Sequence, residues 1–138
     1  PVVSSLVYHY NSVNVEAQMA QGSSLLHWVR GVLRVRARNP VFGLGDFRFA
    51  QCDNPAILAY LRTSTEVDHG ARVALCLVNL SSRPQGTTVQ LPEEYAGRYV
   101  RDLFGGGGFP RVSDDATVTV TLGSRDFFWW RLSKDMPE

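Results

Sequence analysis

The residues best suited to chemistry are the adjacent acids Glu93-Glu94 and Asp114-Asp115, the thiols Cys52 and Cys76, and the histidines His9, His27 and His69. Two carboxyls can divide acid and base work across a scissile bond, but they must converge and one must be desolvated. Neighbouring acids in polar connections point apart, so both pairs read as solvated surface. The histidines are scattered, with no Ser or Cys arrangement that suggests a triad. No His, Cys and carboxylate spacing suits a metal ion. Cys52 and Cys76 lack companion spacing and read as buried thiols of a reducing compartment rather than a disulfide or metal pair.

Gly105 to Gly108 resemble a phosphate loop in composition, yet that device feeds a helix N-terminus and usually carries a Lys. Phe109-Pro110 follows instead, so the run reads as a hairpin or turn. Phe127, Phe128, Trp129 and Trp130 form the densest aromatic run, and sugars stack on exposed aromatic faces. In a strand, Phe127 and Trp129 share one face while Phe128 and Trp130 share the other. One pair is expected in the core and the other against the helix or a neighbouring domain. Phe128, Trp129 and Trp130 are therefore the candidate carbohydrate or domain contacts. Asn79-Leu80-Ser81 fits a glycosylation sequon, but its place at the end of an apolar strand makes it a coincidence. No catalytic, cofactor-binding or metal-ligating residue is assigned.

The chain has 138 residues, one domain's worth and too few for a (β/α)₈ barrel. Hydrophobic residues make up 44% and charged residues 20%, a globular balance. A formal charge of +1 gives no electrostatic case for nucleic acid or an anionic membrane as partner. No apolar run reaches the roughly 18–20 residues of a membrane span. The chain begins at Pro1 with extended apolar residues, as a processed or partial chain would, and without a signal-peptide pattern.

The stretch that organises the chain runs from Asn14 to Gly45. Pro1 to Ser12 reads as a loop or extended arm. Asn14 suits an N-cap with Glu16 in the first turn, and Gly22 ends that turn. Ser23 or Ser24 can cap a longer helix. Leu25, Val29, Val32 and Leu33 give its apolar stripe, widened by Leu26, Trp28 and Val35. Arg30, Arg34, Arg36 and Arg38 read as a solvated or domain-contacting face. Asn39-Pro40 stops the helix.

From Val41 the period changes to two. Strands are predicted over Gly45–Gln51, Ala56–Ser64, Ala71–Leu80, Thr87–Leu91, Arg98–Leu103, Thr117–Leu122 and Asp126–Leu132, divided by Gly, Pro, Asn and Asp turn signals. The expectation is a mostly β fold: an antiparallel Greek-key β-sandwich over 41–138, preceded over 1–40 by a lead-in arm and one amphipathic helix.

NVEAQ at Asn14–Gln18 and SSLLHWVRGVLRVRARNPVF at Ser23–Phe42 resemble α-amylase-type enzymes, in the branch of oligo-1,6-glucosidases, sucrose isomerases and trehalose synthases. The trehalose synthases are the most similar of these, through Val7-Tyr8-His9-Tyr10, Asn39 to Gly45 and Asn54 to Tyr60. Asp102 to Gly106 and Phe128 to Leu132 add to the match. His9, where glycine is expected, and the longer glycine run depart from the pattern. The resemblance implies that the helix is the last of a (β/α)₈ barrel and that the rest is the C-terminal sandwich. It makes Leu25, Trp28, Val29, Val32 and Leu33 the candidate barrel interface.

The activity implied is interconversion of maltose and trehalose by a retaining glycosidase-type isomerase. Its Asp nucleophile, Glu acid/base, second Asp and calcium ligands all lie upstream on the barrel. This chain alone is expected to be inactive and structural, with the catalytic barrel, a homo-oligomer and a maltokinase as partners and a cytoplasmic location. A stand-alone carbohydrate-binding module, or the tail of an α-glucosidase or sucrose isomerase, is the other reading. A helix this apolar should also show an exposed patch, or be covered by a second copy of the chain.

Overall fold

The computed structural model describes residues 14–105 and 108–136. The lead-in arm Pro1 to Ser12, with His9, lies outside the described residues, as do Gly106 and Gly107. The chain divides into two compact units, Pro1–Ala37 and Arg38–Glu138.

In the first unit, helix α1 covers Val15–Ala20 and helix α2 Leu25–Arg38, the latter completed across the division between units. Asn14 caps α1, its side-chain oxygen accepting the Ala17 N–H at 2.8 Å. Ser24 caps α2: its carbonyl accepts the Trp28 N–H at 3.0 Å and its Oγ the His27 N–H at 3.4 Å. The same hydroxyl donates to the Gln18 carbonyl at 2.6 Å, so the 2.9 Å contact with His27 Nδ1 makes the imidazole the donor. Three bonds on one oxygen fix the turn between the helices. His27 is thus a structural residue at a cap.

The second unit opens with a short helix α3, Val41–Leu44, where the sequence suggested the start of β structure. Pro40 has φ −57 and ψ −19, so the proline that ends α2 begins the next turn. Among the described residues nine strands follow: β1 Asp46–Phe49, β2 Gln51–Cys52, β3 Ile57–Thr63, β4 Val73–Asn79, β5 Gln85–Gln90, β6 Tyr99–Asp102, β7 Gly108–Phe109, β8 Thr117–Leu122 and β9 Phe127–Ser133. All pairings are antiparallel, in a six-stranded sheet ordered β1-β3-β4-β9-β6-β7 and a three-stranded sheet ordered β2-β5-β8. The chain crosses between sheets after β4, returns before β6, crosses again after β7 and returns into β9. That is the Greek-key sandwich expected from the strand spacing.

Two parts of the strand reading needed correction. The strand predicted over Gly45–Gln51 breaks at Ala50, and Gln51–Cys52 leaves to pair with Val89 and Gln90 in the other sheet. The glycine turn before Pro110 contributes a strand, because Gly108 and Phe109 pair with Arg101 and Val100.

The core lies between the sheets. Leu61, Leu75, Leu77, Val89, Val112, Leu122 and Trp130 are all under 2% exposed. A second, smaller cluster lies on the outer face of the six-stranded sheet, where Val41 and Phe42 of α3 pack with Ala71, Ala74 and Cys76. Two glycines make this turn feasible. A Cβ at Gly45 would sit 2.6 Å from the Val41 carbonyl oxygen and 2.8 Å from that of Thr63. Gly70 has φ +75, and its Cβ would lie 2.5 Å from the Arg38 carbonyl oxygen. Beside it, Asn39 is buried and accepts the Ala71 N–H at 2.8 Å.

Candidate functional site

The aromatic run occupies β9, next to the central strand β4. Register pairs Cys76 with Trp129 and Leu77 with Phe128, so successive aromatics fall on opposite faces of the sheet. On the inner face, Trp130 is 1% exposed, stacks on Phe128 at 5.1 Å and meets Phe109 at 4.5 Å. Its indole N–H is buried and makes no hydrogen bond among the described residues. Phe128 is partly buried against the same core. On the outer face, Trp129 lies 4.5 Å from Phe42 and 5.3 Å from Phe104, which meets Phe127 at 5.4 Å.

Of the three candidate carbohydrate contacts, the structure thus withdraws two. Trp130 cannot reach a ligand, and Phe128 turns inward beside it. Trp129 keeps a half-buried ring under Phe42 and Phe104, a setting for packing rather than for a sugar platform.

The exposed aromatic surface lies elsewhere. On edge strand β1, Phe47 is 51% and Phe49 70% exposed. Phe47 stacks on Tyr60 at 4.9 Å and meets Phe49 edge-on at 5.0 Å. Arg62 lies 6.0 Å over the Phe47 ring and donates to the Gly45 carbonyl at 2.7 Å. The sequence did not single out this group. Its only sign was a phenylalanine at every second position in a strand whose partner face was unknown.

The candidate interface residues on α2 are largely uncovered. Leu25 is 68%, Leu33 56% and Trp28 55% exposed, Val29 is exposed and Val32 intermediate. No residue of the helix is buried. An open groove of about 400 Å³ between α1 and α2 is lined by Val15, Leu25, Leu26 and Val29. Arg30, Arg34, Arg36 and Arg38 are exposed as well.

Among the described residues, the ionisable groups singled out in the sequence lie apart, on separate helices, strands and turns. Glu93 and Glu94 lie in a single turn of 3₁₀ helix and are exposed. Asp115 accepts from the Ser113 and Thr117 hydroxyls, which hold its carboxyl below the usual range. Asp53 is lowered by the Thr88 N–H and then the Thr87 hydroxyl, both at 2.9 Å, and Asp68 by the His69 ring. Each resolved carboxyl shift is downward, the opposite of what a general acid needs. Burial pushes the Cys76 thiol up to about 12. Cys52 and Cys76 are free, and Cys52 Sγ lies 2.8 Å from Thr87 Oγ1. Because the Thr87 hydroxyl donates to Asp53, the thiol is the donor in that contact.

Among the described residues no three His, Cys, Asp or Glu side chains come together in a group that could hold a metal ion. Asn79 is 1% exposed, and its amide donates to the Arg83 and Gly123 carbonyls at 2.7 and 2.8 Å, so the sequon is closed. No helix among the described residues is long and apolar enough to cross a membrane.

Comparison with known proteins fits this arrangement. The chain is 42% identical over 133 residues to a trehalose synthase of Pimelobacter sp. (strain R48), covering 96% of this chain and 23% of that protein. It is 39% identical over 142 residues to a trehalose synthase/amylase of Mycolicibacterium smegmatis, covering 100% and 24%. The chain therefore spans about a quarter of the length of these relatives. Among solved structures, an Anoxybacillus α-amylase superposes with TM-score 0.63 at 21% identity, covering 83% of this chain and 23% of that one. A trehalulose synthase of Pseudomonas mesoacidophila does so with TM-score 0.61 at 18% identity, covering 90% and 20%. These two likenesses are of fold. Residues 47–129 match the family described as Maltogenic Amylase, C-terminal domain, and the chain belongs to that family of C-terminal domains.

Proposed function

We propose that this chain is the C-terminal, non-catalytic part of an α-amylase-type trehalose synthase, whose whole protein interconverts maltose and trehalose. The observation that carries the reading is a similarity of 39–42% that takes in nearly all of this chain and only 23–24% of each relative. The exposed apolar face of α2 supports it, because a stripe of Leu25, Trp28, Val29, Val32 and Leu33 is stable in water only against a large apolar partner. That partner is the catalytic barrel.

In this reading the acids that carry out glucosyl transfer, and any calcium, belong to the barrel. The free thiols of Cys52 and Cys76 support a cytoplasmic setting. A homo-oligomer and a maltokinase are further partners in the proposal, resting on the family resemblance alone.

The test is complementation. A trehalose synthase truncated before the segment matching Asn14 is co-expressed with this chain, and maltose-to-trehalose conversion is measured. The expected result is co-purification and activity only with both parts present. Turnover by this chain alone, or a truncated barrel fully active without binding it, would overturn the reading.

A further inference from the structure

The sandwich unit has a cleft of about 580 Å³ where the loop from β3 to β4, the entry to β6 and the end of β9 meet. Arg72, Arg98, Arg131 and Lys134 line it against the carboxylates of Asp68 and Asp135. With His69 neutral, the lining carries an excess of two positive charges in a chain whose overall charge is only +1. Asp68 is already engaged by the His69 ring. Among the described residues, no ion pair forms to Arg72, Arg131 or Lys134.

The cations are placed by the fold. Arg98 Nε donates to the Glu94 carbonyl at 3.3 Å, and its guanidinium lies 4.8 Å over the Tyr95 ring, so its head is held in position. Arg131 stands in register between Ala74 and Arg101. Arg72 closes the loop that Gly70 turns, with its carbonyl bonded to the Ser64 N–H at 2.9 Å. Like charges drawn together around a concavity are unfavourable unless an anion enters it, and guanidinium forks match phosphate oxygens in pairs. The volume suits a small ligand, with Val73 and Leu132 supplying apolar lining.

We infer that this cleft binds the phosphate group of a small molecule, whose dianionic charge matches the excess of two carried by Arg72, Arg98, Arg131 and Lys134. The site is distinct from the α2 face and does not depend on what covers that helix.

The test is a titration of the chain with inorganic phosphate, glucose 6-phosphate and glucose, followed by backbone amide NMR shifts. Both phosphates should give saturable shifts confined to Asp68–Val73, Arg98 and Arg131–Asp135, and glucose none. Tighter binding of glucose 6-phosphate would extend the site to the ester, while equal binding would limit it to the phosphate group. Arg72→Gln and Arg131→Gln, both at exposed positions, should each weaken binding about tenfold while leaving the remaining spectrum intact. Added salt should weaken it further. Failure to saturate through the millimolar range, or Gln variants that titrate like the parent, would overturn the inference. So would an aspartate-rich peptide that binds the cleft more tightly than either phosphate, because the surface would then belong to an acidic protein segment.

Discussion

Trp129 and Trp130 are adjacent in sequence and serve opposite faces of one sheet: the first lies 4.5 Å from Phe42 on the outer face, the second is 1% exposed between the sheets. Their energetic roles should differ accordingly. Trp130→Ala empties the centre of a close-packed core and should cost about 3–5 kcal/mol. Trp129→Ala loses ring contacts to Phe42 and Phe104 and part of an exposed surface, about 2 kcal/mol. Urea unfolding measures both, and equal costs would contradict the two-face assignment. Trp130→Phe adds a sharper check. It removes volume but also a buried N–H with no partner among the described residues, a donor whose burial costs about 1–3 kcal/mol. The Phe variant should therefore retain most of the stability that the Ala variant loses.

Gly70 supports the turn by which the β3–β4 loop meets Arg38 and Asn39. Its φ of +75 disfavours any side chain, and a Cβ would overlap the Arg38 carbonyl oxygen at 2.5 Å. Gly70→Ala should cost about 1–3 kcal/mol, more than replacement at an exposed glycine with ordinary φ. Gly86, whose Cβ would meet only the Thr121 hydroxyl at 3.7 Å, is the control. Thermal unfolding of the two Ala variants separates backbone strain from a general effect of glycine.

Much of this fold was legible because long elements leave a period. The stripe of α2, its stop before Pro40, the alternation of β8 and the continuous apolar run of β4 could be read directly. Two-residue strands leave no period, so β2 and β7 were invisible, and the crossing at Ala50 depends on pairing with Val89 and Gln90 rather than on local residues. The helical turn of α3 was missed because a Val-Phe pair after proline reads equally as strand. Alternation also tells which side chains share a face without telling whether that face is covered. That is why the Phe127–Trp130 run drew attention and the exposed Phe47 and Phe49 did not. The basic cleft joins Arg72, Arg98 and Arg131 from three distant segments, and no spacing in the sequence could have revealed it.

Alkaline stability should depend on two buried acids. Burial raises the Cys76 thiol from 9.0 to about 12; burial first, then the neighbouring Glu94, raises the Tyr95 phenol from 10.0 to about 12. In each case the unfolded chain releases its proton at lower pH than the folded one. Between about pH 9 and 12 the folded state therefore binds more protons, and stability falls as pH rises. Below pH 9 both contributions are complete and the profile should be flat for these groups. Cys76→Ala and Tyr95→Phe should each reduce the slope of stability against pH in that window, whatever their effect at neutrality. A slope unchanged in both variants would remove these groups as its cause. Thiol labelling gives a second reading: Cys52, partly exposed, should react with iodoacetamide in the folded chain, and Cys76 only on opening.

The final prediction concerns α2, where sequence and structure agree on the stripe and the structure leaves it exposed. A surface of Leu25, Trp28, Val29 and Leu33 contributes little to folding if nothing in the chain covers it, yet it should bind apolar probes strongly. Leu25→Ser with Leu33→Ser should change the unfolding free energy of the sandwich by no more than about 0.5 kcal/mol, as surface substitutions do. The same change should sharply lower binding of a hydrophobic dye and abolish complementation with the truncated barrel. If the helix were covered by this chain's own residues, the double variant would destabilise the fold and raise dye binding. If it were merely a solvated helix, neither dye binding nor complementation would change. Only a face reserved for a larger apolar partner loses both while the sandwich keeps its stability.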